Sequence, residues 1–224
     1  MNLCLFDLDL TLLPLDSDHA WGEFVVTLGW AHGPEQRRQN DAYYLHYQRG
    51  TLDIHDYVEF ATRAWRDRPA AEQDAAHRRF MQECIAPAIR PEALALVAQH
   101  RGQGDLMAIV TATNEFVTRP IADALGVESL IAVDLERDEA GRVTGRIRGV
   151  PSFREGKTER VVQWLAGRGH GVQDFERVSV YSDSTNDLPL LKLATHPVAT
   201  NPSPDLEAFA RQRGWPILNL FTTP

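Results

Sequence analysis

Five short apolar runs, each followed by polar or helix-forming sequence, do most to constrain the fold of this 224-residue chain. The runs are rich in Val, Ile and Leu and occupy residues 3–6, 106–110, 130–133, 178–181 and 197–199. Strands that alternate with helices predict a parallel sheet, because a parallel connection crosses the sheet through a helix. We therefore expect an α/β fold, with a Rossmann-like parallel sheet flanked by helices.

About a hundred residues separate the first two runs, which is far more than a normal crossover needs. Helically spaced apolar residues such as Trp21, Phe24 and Val25 predict amphipathic helices in this stretch. We expect an inserted helical cap domain at residues 15–86, and a Rossmann-like core formed by residues 1–14 and 87–224. Near residue 141, a glycine able to take positive φ predicts a small β-hairpin flap.

The composition excludes several classes of partner. The formal net charge is -8 without a Lys/Arg cluster, which argues against a nucleic-acid or anionic-membrane surface. Cys4 and Cys84 match neither a zinc motif nor a disulfide framework. No apolar stretch is long enough to span a bilayer, and the chain starts with a strand rather than a targeting segment. We expect a cytoplasmic protein, monomeric or homodimeric, that acts on a small molecule.

Two carboxylates follow the first strand. Asp7 and Asp9 are two residues apart, so in an extended chain both can face one small volume at the carboxyl edge of the sheet. Crowded carboxylates attract a hard cation, and Mg²⁺ takes one or two protein carboxylates together with phosphate oxygens and water. The motif thus indicates metal-dependent phosphoryl transfer. A strand ending in a solvated acidic turn is the alternative reading.

Three further features occur in the order that such a site would need. Thr111 ends the second strand, where it and nearby backbone N–H groups could bind phosphate, or could cap the next helix. Lys157 lies in the first turn of a helix, where the helix dipole disfavours a cation unless an anion is nearby. Asp183 and Asp187 follow the fourth strand, and either could alternatively be a turn or capping residue.

Together these segments resemble the haloacid dehalogenase-like hydrolases, and most closely their phosphoserine-phosphatase-like branch. The resemblance rests on Asp7-Leu8-Asp9-Leu10-Thr11, then Thr111, then Lys157, then Ser182-Asp183-Ser184-Thr185-Asn186-Asp187. It implies a phosphoric monoester hydrolase in which Asp7 is the nucleophile that forms an aspartyl-phosphate. It also implies that Asp9 protonates the leaving oxygen and then activates water.

The same resemblance implies the remaining site residues. Mg²⁺ would be held by the side chain of Asp7, the backbone carbonyl of Asp9 and Asp183. Asp187 would orient Lys157 and a metal-bound water. Substrate and phosphate would be bound by Thr111, Ala112 and Asn186, with Lys157 neutralising charge on the phosphoryl group.

Substrate recognition departs from that of phosphoserine phosphatases. Asp16 matches an acidic position that contacts the substrate ammonium in those enzymes, and Asp18 is close by. Ala61 stands where they have an arginine for the substrate carboxylate, although Arg63 is two residues away. An acidic pocket without that arginine favours an amino-alcohol phosphate, with L-histidinol phosphate as the leading candidate. Hydrolysis of phosphoserine and phosphotransfer to an alcohol are the two enzymatic alternatives. A catalytically silent binding module is the third alternative.

Two details of the substrate side are also expected. In phosphoserine phosphatases a pair of glycines normally follows the residue that matches Thr111. This chain has Ala112 and Thr113 there instead. The aromatic residues of the predicted cap could stack on an imidazole, but helical spacing is more typical of a packed core. We expect core positions for Trp21, Phe24, Tyr43, Tyr44 and Tyr47.

Overall fold

The computed structural model describes residues 1–221, so that residues 222–224 of the predicted core lie outside the described residues. Six parallel strands form the main sheet in the order β3-β2-β1-β6-β7-β8, and β4 and β5 form a separate antiparallel pair. The α/β fold class predicted from the sequence is confirmed. The strands are β1 (Asn2–Phe6), β2 (Leu106–Asn114), β3 (Ser129–Val133), β4 (Leu135–Arg137), β5 (Val143–Ile147), β6 (Arg177–Ser182), β7 (His196–Thr200) and β8 (Ile217–Leu218).

Each of the five apolar runs lies in a strand of the sheet, and the short edge strand β8 was not predicted. Helices connect the strands and lie on both faces of the sheet. They are α1 (Ser17–Thr27), α2 (Gly33–Gln48), α3 (Ile54–Arg63), α4 (Ala70–Phe80), α5 (Pro91–Gly102), α6 (Glu115–Leu125), α7 (Glu155–Ala166), α8 (Leu188–Leu193) and α9 (Pro204–Arg213). Among the described residues, no helix is long and apolar enough to cross a membrane.

Both faces of strand β1 are buried. Leu3 and Leu5 belong to a hydrophobic cluster with residues of α7, α8 and α9, whereas Cys4 and Phe6 belong to a second cluster with residues of α1, α4, α5 and α6. This alternation follows from the two-residue period of a strand. The central strand is therefore fixed from both sides, and Asp7 directly follows it at the carboxyl edge of the sheet.

The stretch between β1 and α5 is helical, as its apolar spacing predicted. It contains α1 to α4 and continues into a π-helical turn at Met81–Ile85. Trp21 of α1 packs edge-on against Phe80 of α4 and against Phe116 of α6, with ring centroids 5.1 and 5.6 Å apart. This aromatic cluster packs α1 and α4 onto the helix that follows β2. The division into a core and a separate cap domain stays a prediction.

The predicted flap is a β-hairpin. Strand β4 pairs antiparallel with β5, and the turn between them has Gly141 at φ 78°. Asp138 closes the turn, because its carboxylate accepts hydrogen bonds from the backbone N–H groups of Ala140 and Arg142, both at 2.9 Å. The hairpin packs against α3 through β5, so it lies beside the helical segment.

Candidate active site

Asp7 and Asp183 follow two neighbouring strands of the sheet. The backbone N–H of Asp7 donates to the carbonyl of Tyr181 at 2.9 Å, which extends the pairing with β6 beyond the end of β1. Both carboxylates are buried. The Thr11 hydroxyl lies between them, 3.3 Å from Asp7 Oδ2 and 3.2 Å from Asp183 Oδ1. Asp7 and Asp183, 176 positions apart in the chain, thus contact the same hydroxyl group.

Lys157 lies at the centre of the site. Its Nζ donates hydrogen bonds of 2.8 Å to Asp7 Oδ1 and to Asp187 Oδ2, and its side chain is 1% exposed. Burial alone would lower the pKa of this ammonium, but the attraction of Asp187 and Asp7 outweighs burial and raises it. Lys157 is therefore held in its charged form. The preceding Gly156 is required because a Cβ there would lie 2.1 Å from the carbonyl oxygen of Pro151.

Asp187 is also committed to this cluster. Its Oδ2 accepts from Lys157 and from the Ser182 hydroxyl, both at 2.8 Å, and its side chain makes no capping hydrogen bond to α8. Burial raises the pKa of Asp187 to about 6 against the lowering effect of Lys157, and repulsion from Asp7 adds to the rise. The alternative reading of Asp187 as a helix cap does not describe its contacts.

Asp9 is held at both of its carboxylate oxygens. Oδ1 accepts from the backbone N–H of Ser17 and Oδ2 accepts from the Thr113 hydroxyl, each at 2.8 Å. Burial raises the pKa of Asp9 to about 7, and the negative charge of Asp16 adds to the rise, while hydrogen bonds from Ser17 and Thr113 oppose it. A carboxyl group with a pKa near neutrality can both give and take a proton at physiological pH.

Thr111 lies on strand β2 beside these carboxylates. It is buried, and its Oγ1 accepts from the backbone N–H of Thr113 at 3.1 Å. Helix α6 is instead capped by Asn114, whose side chain accepts from the backbone N–H of Val117 at 3.2 Å. The alternative reading of Thr111 as a helix cap is therefore wrong. Thr111 and Ala112 line the pocket that opens next to Asp7 and Asp9.

This pocket contains about 510 Å³ of atom-free space, open solvent included. Its walls combine the strand ends of the sheet with residues of α1, α2 and α3. The lining residues include four tyrosines, Tyr43, Tyr44, Tyr47 and Tyr57. Trp21 and Phe24 are buried in the core, as expected. Tyr43, Tyr44 and Tyr47 are not core residues, because α2 presents their rings to the pocket. The sequence of α2 is mostly polar and has little apolar surface to bury.

Asp16 and Asp18 add acidic side chains to the lining of the pocket. One oxygen of Asp16 caps helix α1 by accepting from the backbone N–H of His19 at 2.8 Å. Asp18 is 6% exposed and accepts from the Asn114 side chain at 3.4 Å. Burial raises the pKa of Asp18 well above its usual range, the charges of Asp16 and Asp9 add to the rise, and the Tyr57 hydroxyl opposes it. No Lys or Arg of residues 1–221 lines this pocket.

Two of the residues considered for substrate binding lie outside the pocket lining. Arg63 donates to Gln39 at 3.1 Å and lies over the ring of Phe60, in a groove on the outer side of α2 and α3. It does not replace the arginine missing at Ala61. Asn186 donates from its side chain to the backbone carbonyl of Tyr47 at 3.0 Å. In this arrangement Asn186 ties the loop after β6 to the end of α2.

The residues present fit a Mg²⁺ ion. Among residues 1–221, no three His, Cys, Asp or Glu side chains are grouped so as to hold a metal, and the expected set needs only the carboxylates of Asp7 and Asp183 with the Asp9 carbonyl. Two carboxylates completed by water and phosphate oxygens are the coordination that Mg²⁺ prefers. Asp187 Oδ1 is buried beside them without a hydrogen-bond partner in the described chain, as an acceptor for a metal-bound water would be.

Sequence reasoning assigned no role to four residues that hold the carboxylates. The Thr11 hydroxyl contacts both Asp7 and Asp183. The Thr113 hydroxyl and the Ser17 backbone N–H bind Asp9, and the Ser182 hydroxyl binds Asp187. Three of them lie one or a few residues from a motif residue, where a small hydroxyl side chain could have been the signal. Ser17 acts through its backbone, so its side chain carries no such signal.

Comparison with known proteins identifies the family. The family model of the haloacid dehalogenase-like hydrolases matches residues 4–192. The chain is 42% identical over 218 residues to a histidinol-phosphatase of Neisseria meningitidis serogroup C (strain 8013), covering 97% of this chain and 98% of that protein. A crystal structure of a protein with unknown function from Bordetella pertussis Tohama I superposes with a TM-score of 0.92 at 50% identity, covering 98% and 99% of the two chains.

A substrate-bound phosphoserine phosphatase complex superposes with a TM-score of 0.69 at 17% identity, covering 97% of this chain and 92% of the other. At that identity the likeness shows the fold alone. The family model covers most of the chain, and the motif residues lie inside the matched range. The chain therefore belongs to the haloacid dehalogenase-like hydrolases.

Proposed function

We propose that this protein is a Mg²⁺-dependent phosphatase that acts through an aspartyl-phosphate on a small amine-bearing phosphate ester, L-histidinol phosphate. The observation that carries the proposal is the buried contact of Lys157 with Asp7. An ammonium 2.8 Å from a carboxylate at a strand end gives a positioned nucleophile and a fixed positive charge for the phosphoryl oxygens. The full set of motif residues argues against a catalytically silent binding module.

In the first step an Asp7 oxygen attacks phosphorus, the ester P–O bond breaks, and Asp9 gives its proton to the leaving alkoxide. In the second step water attacks phosphorus, Asp9 takes a proton from it, and the bond from Asp7 to phosphorus breaks to release phosphate. Lys157 and the pocket N–H groups stabilise the negative charge on the transferred group. When bound, Mg²⁺ would be held by Asp7, Asp183 and the Asp9 carbonyl, and would neutralise charge on the phosphoryl oxygens.

The pocket supports an amine-bearing substrate. Asp16 and Asp18 bring two carboxyl groups, whose ionised forms a substrate ammonium would stabilise, to a space lined by four tyrosine rings and no lysine or arginine of the described chain. A cation that also carries an aromatic ring can pair with a carboxylate and stack on tyrosine, and an imidazole-bearing amino alcohol offers both. The relative from Neisseria meningitidis, similar over nearly its whole length, is itself a histidinol-phosphatase.

Phosphoserine is the second candidate substrate. It is disfavoured because Arg63 lies outside the pocket. Without an arginine in the pocket, a substrate carboxylate would face Asp16 and Asp18 uncompensated. Phosphotransfer to an alcohol uses the same aspartyl-phosphate and differs only in the acceptor that captures it. The ratio of free phosphate to substrate consumed separates hydrolysis from phosphotransfer. We expect a ratio near one, as for hydrolysis.

The substrate is tested by a side-by-side comparison of L-histidinol phosphate, phosphoserine, phosphoethanolamine and sugar phosphates with Mg²⁺. We expect the highest kcat/KM for L-histidinol phosphate. A wide margin in favour of phosphoserine would overturn the substrate assignment but not the phosphatase activity.

Three further predictions complete the proposal. They are the division into a core and a cap at residues 15 and 86, a monomeric or homodimeric state, and a cytoplasmic location.

A further inference from the structure

Asp9 has two carboxylate oxygens in chemically different surroundings. Oδ1 lies 2.8 Å from a backbone N–H, that of Ser17. Oδ2 lies 2.8 Å from a hydroxyl, that of Thr113. Since the proposed role of Asp9 is to carry a proton in one half of the reaction and to lack it in the other, the two oxygens are not interchangeable.

A backbone N–H can only donate a hydrogen bond, whereas a hydroxyl can donate or accept. A proton on Oδ1 would weaken the hydrogen bond from the Ser17 N–H, because a protonated carboxyl oxygen is a poorer acceptor than a carboxylate oxygen. A proton on Oδ2 leaves the Ser17 bond intact, and the Thr113 hydroxyl can rotate from donor to acceptor or release Oδ2 to the substrate. A weaker bond leaves the buried Ser17 N–H poorly satisfied, which favours Oδ2 as the protonated oxygen.

From these contacts we propose that Thr113 is a positioning residue that makes Oδ2 of Asp9 the oxygen that delivers the proton to the leaving group. The inference rests on the proposed function, because it assigns a task within that reaction. Nothing about the fold alone requires a hydroxyl here, since the resemblance to phosphoserine phosphatases leads one to expect glycine at this position.

The Thr113 side chain is itself held in place. It is 5% exposed, and its backbone N–H donates to Thr111 Oγ1 at 3.1 Å. The following residue, Asn114, caps α6. The backbone of Thr113 is therefore fixed between the end of β2 and the start of a helix, which keeps its hydroxyl beside Asp9 Oδ2.

The leaving group decides how much this arrangement matters. The alkoxide of an aliphatic ester is a strong base and needs a proton as the ester bond breaks, whereas 4-nitrophenolate leaves without one. Loss of proton delivery should therefore lower kcat/KM for an aliphatic phosphate more than for 4-nitrophenyl phosphate. A general loss of structure would lower both to the same degree, because both esters need the same nucleophile and lysine.

The test compares Thr113→Val, which keeps the shape and removes the hydroxyl, with Thr113→Ser, which keeps the hydroxyl. The matched control is Thr27→Val, at an exposed position at the end of α1. We expect Thr113→Val to lower kcat/KM for L-histidinol phosphate by about 30-fold, and by at least about tenfold more than for 4-nitrophenyl phosphate. Thr113→Ser and Thr27→Val should stay within about threefold of the wild-type protein on the aliphatic ester.

Equal losses of Thr113→Val on both esters, or a Thr113→Ser variant as impaired as Thr113→Val, would overturn the inference. Thermal unfolding of each variant reports whether it folds, and Thr113→Ala provides the same comparison if the valine variant does not. A wild-type protein that hydrolyses neither ester would instead contradict the proposed phosphatase function.

Discussion

Lys157 Nζ lies 2.8 Å from Asp7 Oδ1, with both side chains buried at the carboxyl edge of the sheet. The lysine comes from the first turn of α7 and the aspartate from the end of β1, 150 residues earlier. This contact places a fixed positive charge on the proposed nucleophile before any substrate binds. Asp187 shares the same ammonium at 2.8 Å and completes a buried network of two carboxylates and one cation.

Replacing Lys157 should impair both catalysis and stability. Lys157→Met leaves Asp7 and Asp187 buried without a cation, which we expect to lower the free energy of unfolding by about 3–5 kcal/mol. Among variants that remain folded, kcat should fall more than about 100-fold. Urea unfolding and steady-state kinetics measure the two effects. Lys192→Met, at an exposed position of α8, is the control and should change neither; activity of Lys157→Met within threefold of wild type would contradict the assignment.

Asp183 should set the affinity for Mg²⁺. Asp183→Asn removes one of the two carboxylate charges expected to face the ion, so the half-saturating Mg²⁺ concentration should rise about 10- to 100-fold. A titration of activity with Mg²⁺ measures this, and a chelator should abolish the wild-type activity until Mg²⁺ is restored. An unchanged half-saturating concentration would remove Asp183 from the ligand set.

Asp18 should contribute to selectivity for a cationic substrate. Asp18→Asn keeps the shape of the buried side chain and prevents it from ionising beside a substrate ammonium, so the ratio of kcat/KM for L-histidinol phosphate to that for 4-nitrophenyl phosphate should fall about 10- to 100-fold. Asp74→Asn, an exposed change on α4, is the matched control and should leave the ratio as it is. If Asp18→Asn also leaves it unchanged, Asp18 has a packing role only.

His77 should make the stability depend on pH. Its ring stacks on Phe116 at 4.7 Å and burial lowers its pKa, although the Val117 carbonyl opposes this. The unfolded chain therefore binds a proton more readily, and the free energy of unfolding should fall as pH drops below about 6.5, the ordinary pKa of histidine. Urea unfolding at pH 7.5 and 5.5 should show a larger loss for the wild-type protein than for His77→Gln. Equal losses would mean that His77 does not contribute.

The sheet was predictable because buried parallel strands are short apolar runs, and five of its six strands have that signature. Strand β8 escaped because it is a two-residue edge strand with no periodicity of its own. The motif carboxylates were predictable because strand ends meet at one edge of a parallel sheet. That argument brings together Asp7 and Asp183, which the structure places around the shared Thr11 hydroxyl. Lys157 was predicted differently, from a cation in the first turn of a helix that needs an anion nearby, and the structure places it in contact with Asp7.

The substrate side was less predictable. The direction of the α2 tyrosines depends on how that helix is rotated against α1 and α3, and its sequence has no clear apolar face that would set this rotation. Arg63 illustrates the same limit, because a shift of two residues along a helix turns a side chain to another face. The contact of Thr113 with Asp9 joins residues 104 positions apart, and no local pattern encodes it.

The central claim is that the phosphoryl group is transferred from the ester to Asp7 before water releases it. Trapping this covalent intermediate tests the claim most directly. The protein is mixed with an ester carrying a radioactive phosphoryl group, quenched in acid within its first turnovers, and digested to locate the label. We predict label on the peptide that contains Asp7 in the wild-type protein and none in Asp7→Asn, which should also lose turnover of every ester. Turnover retained by Asp7→Asn, or label on another peptide, would contradict the account.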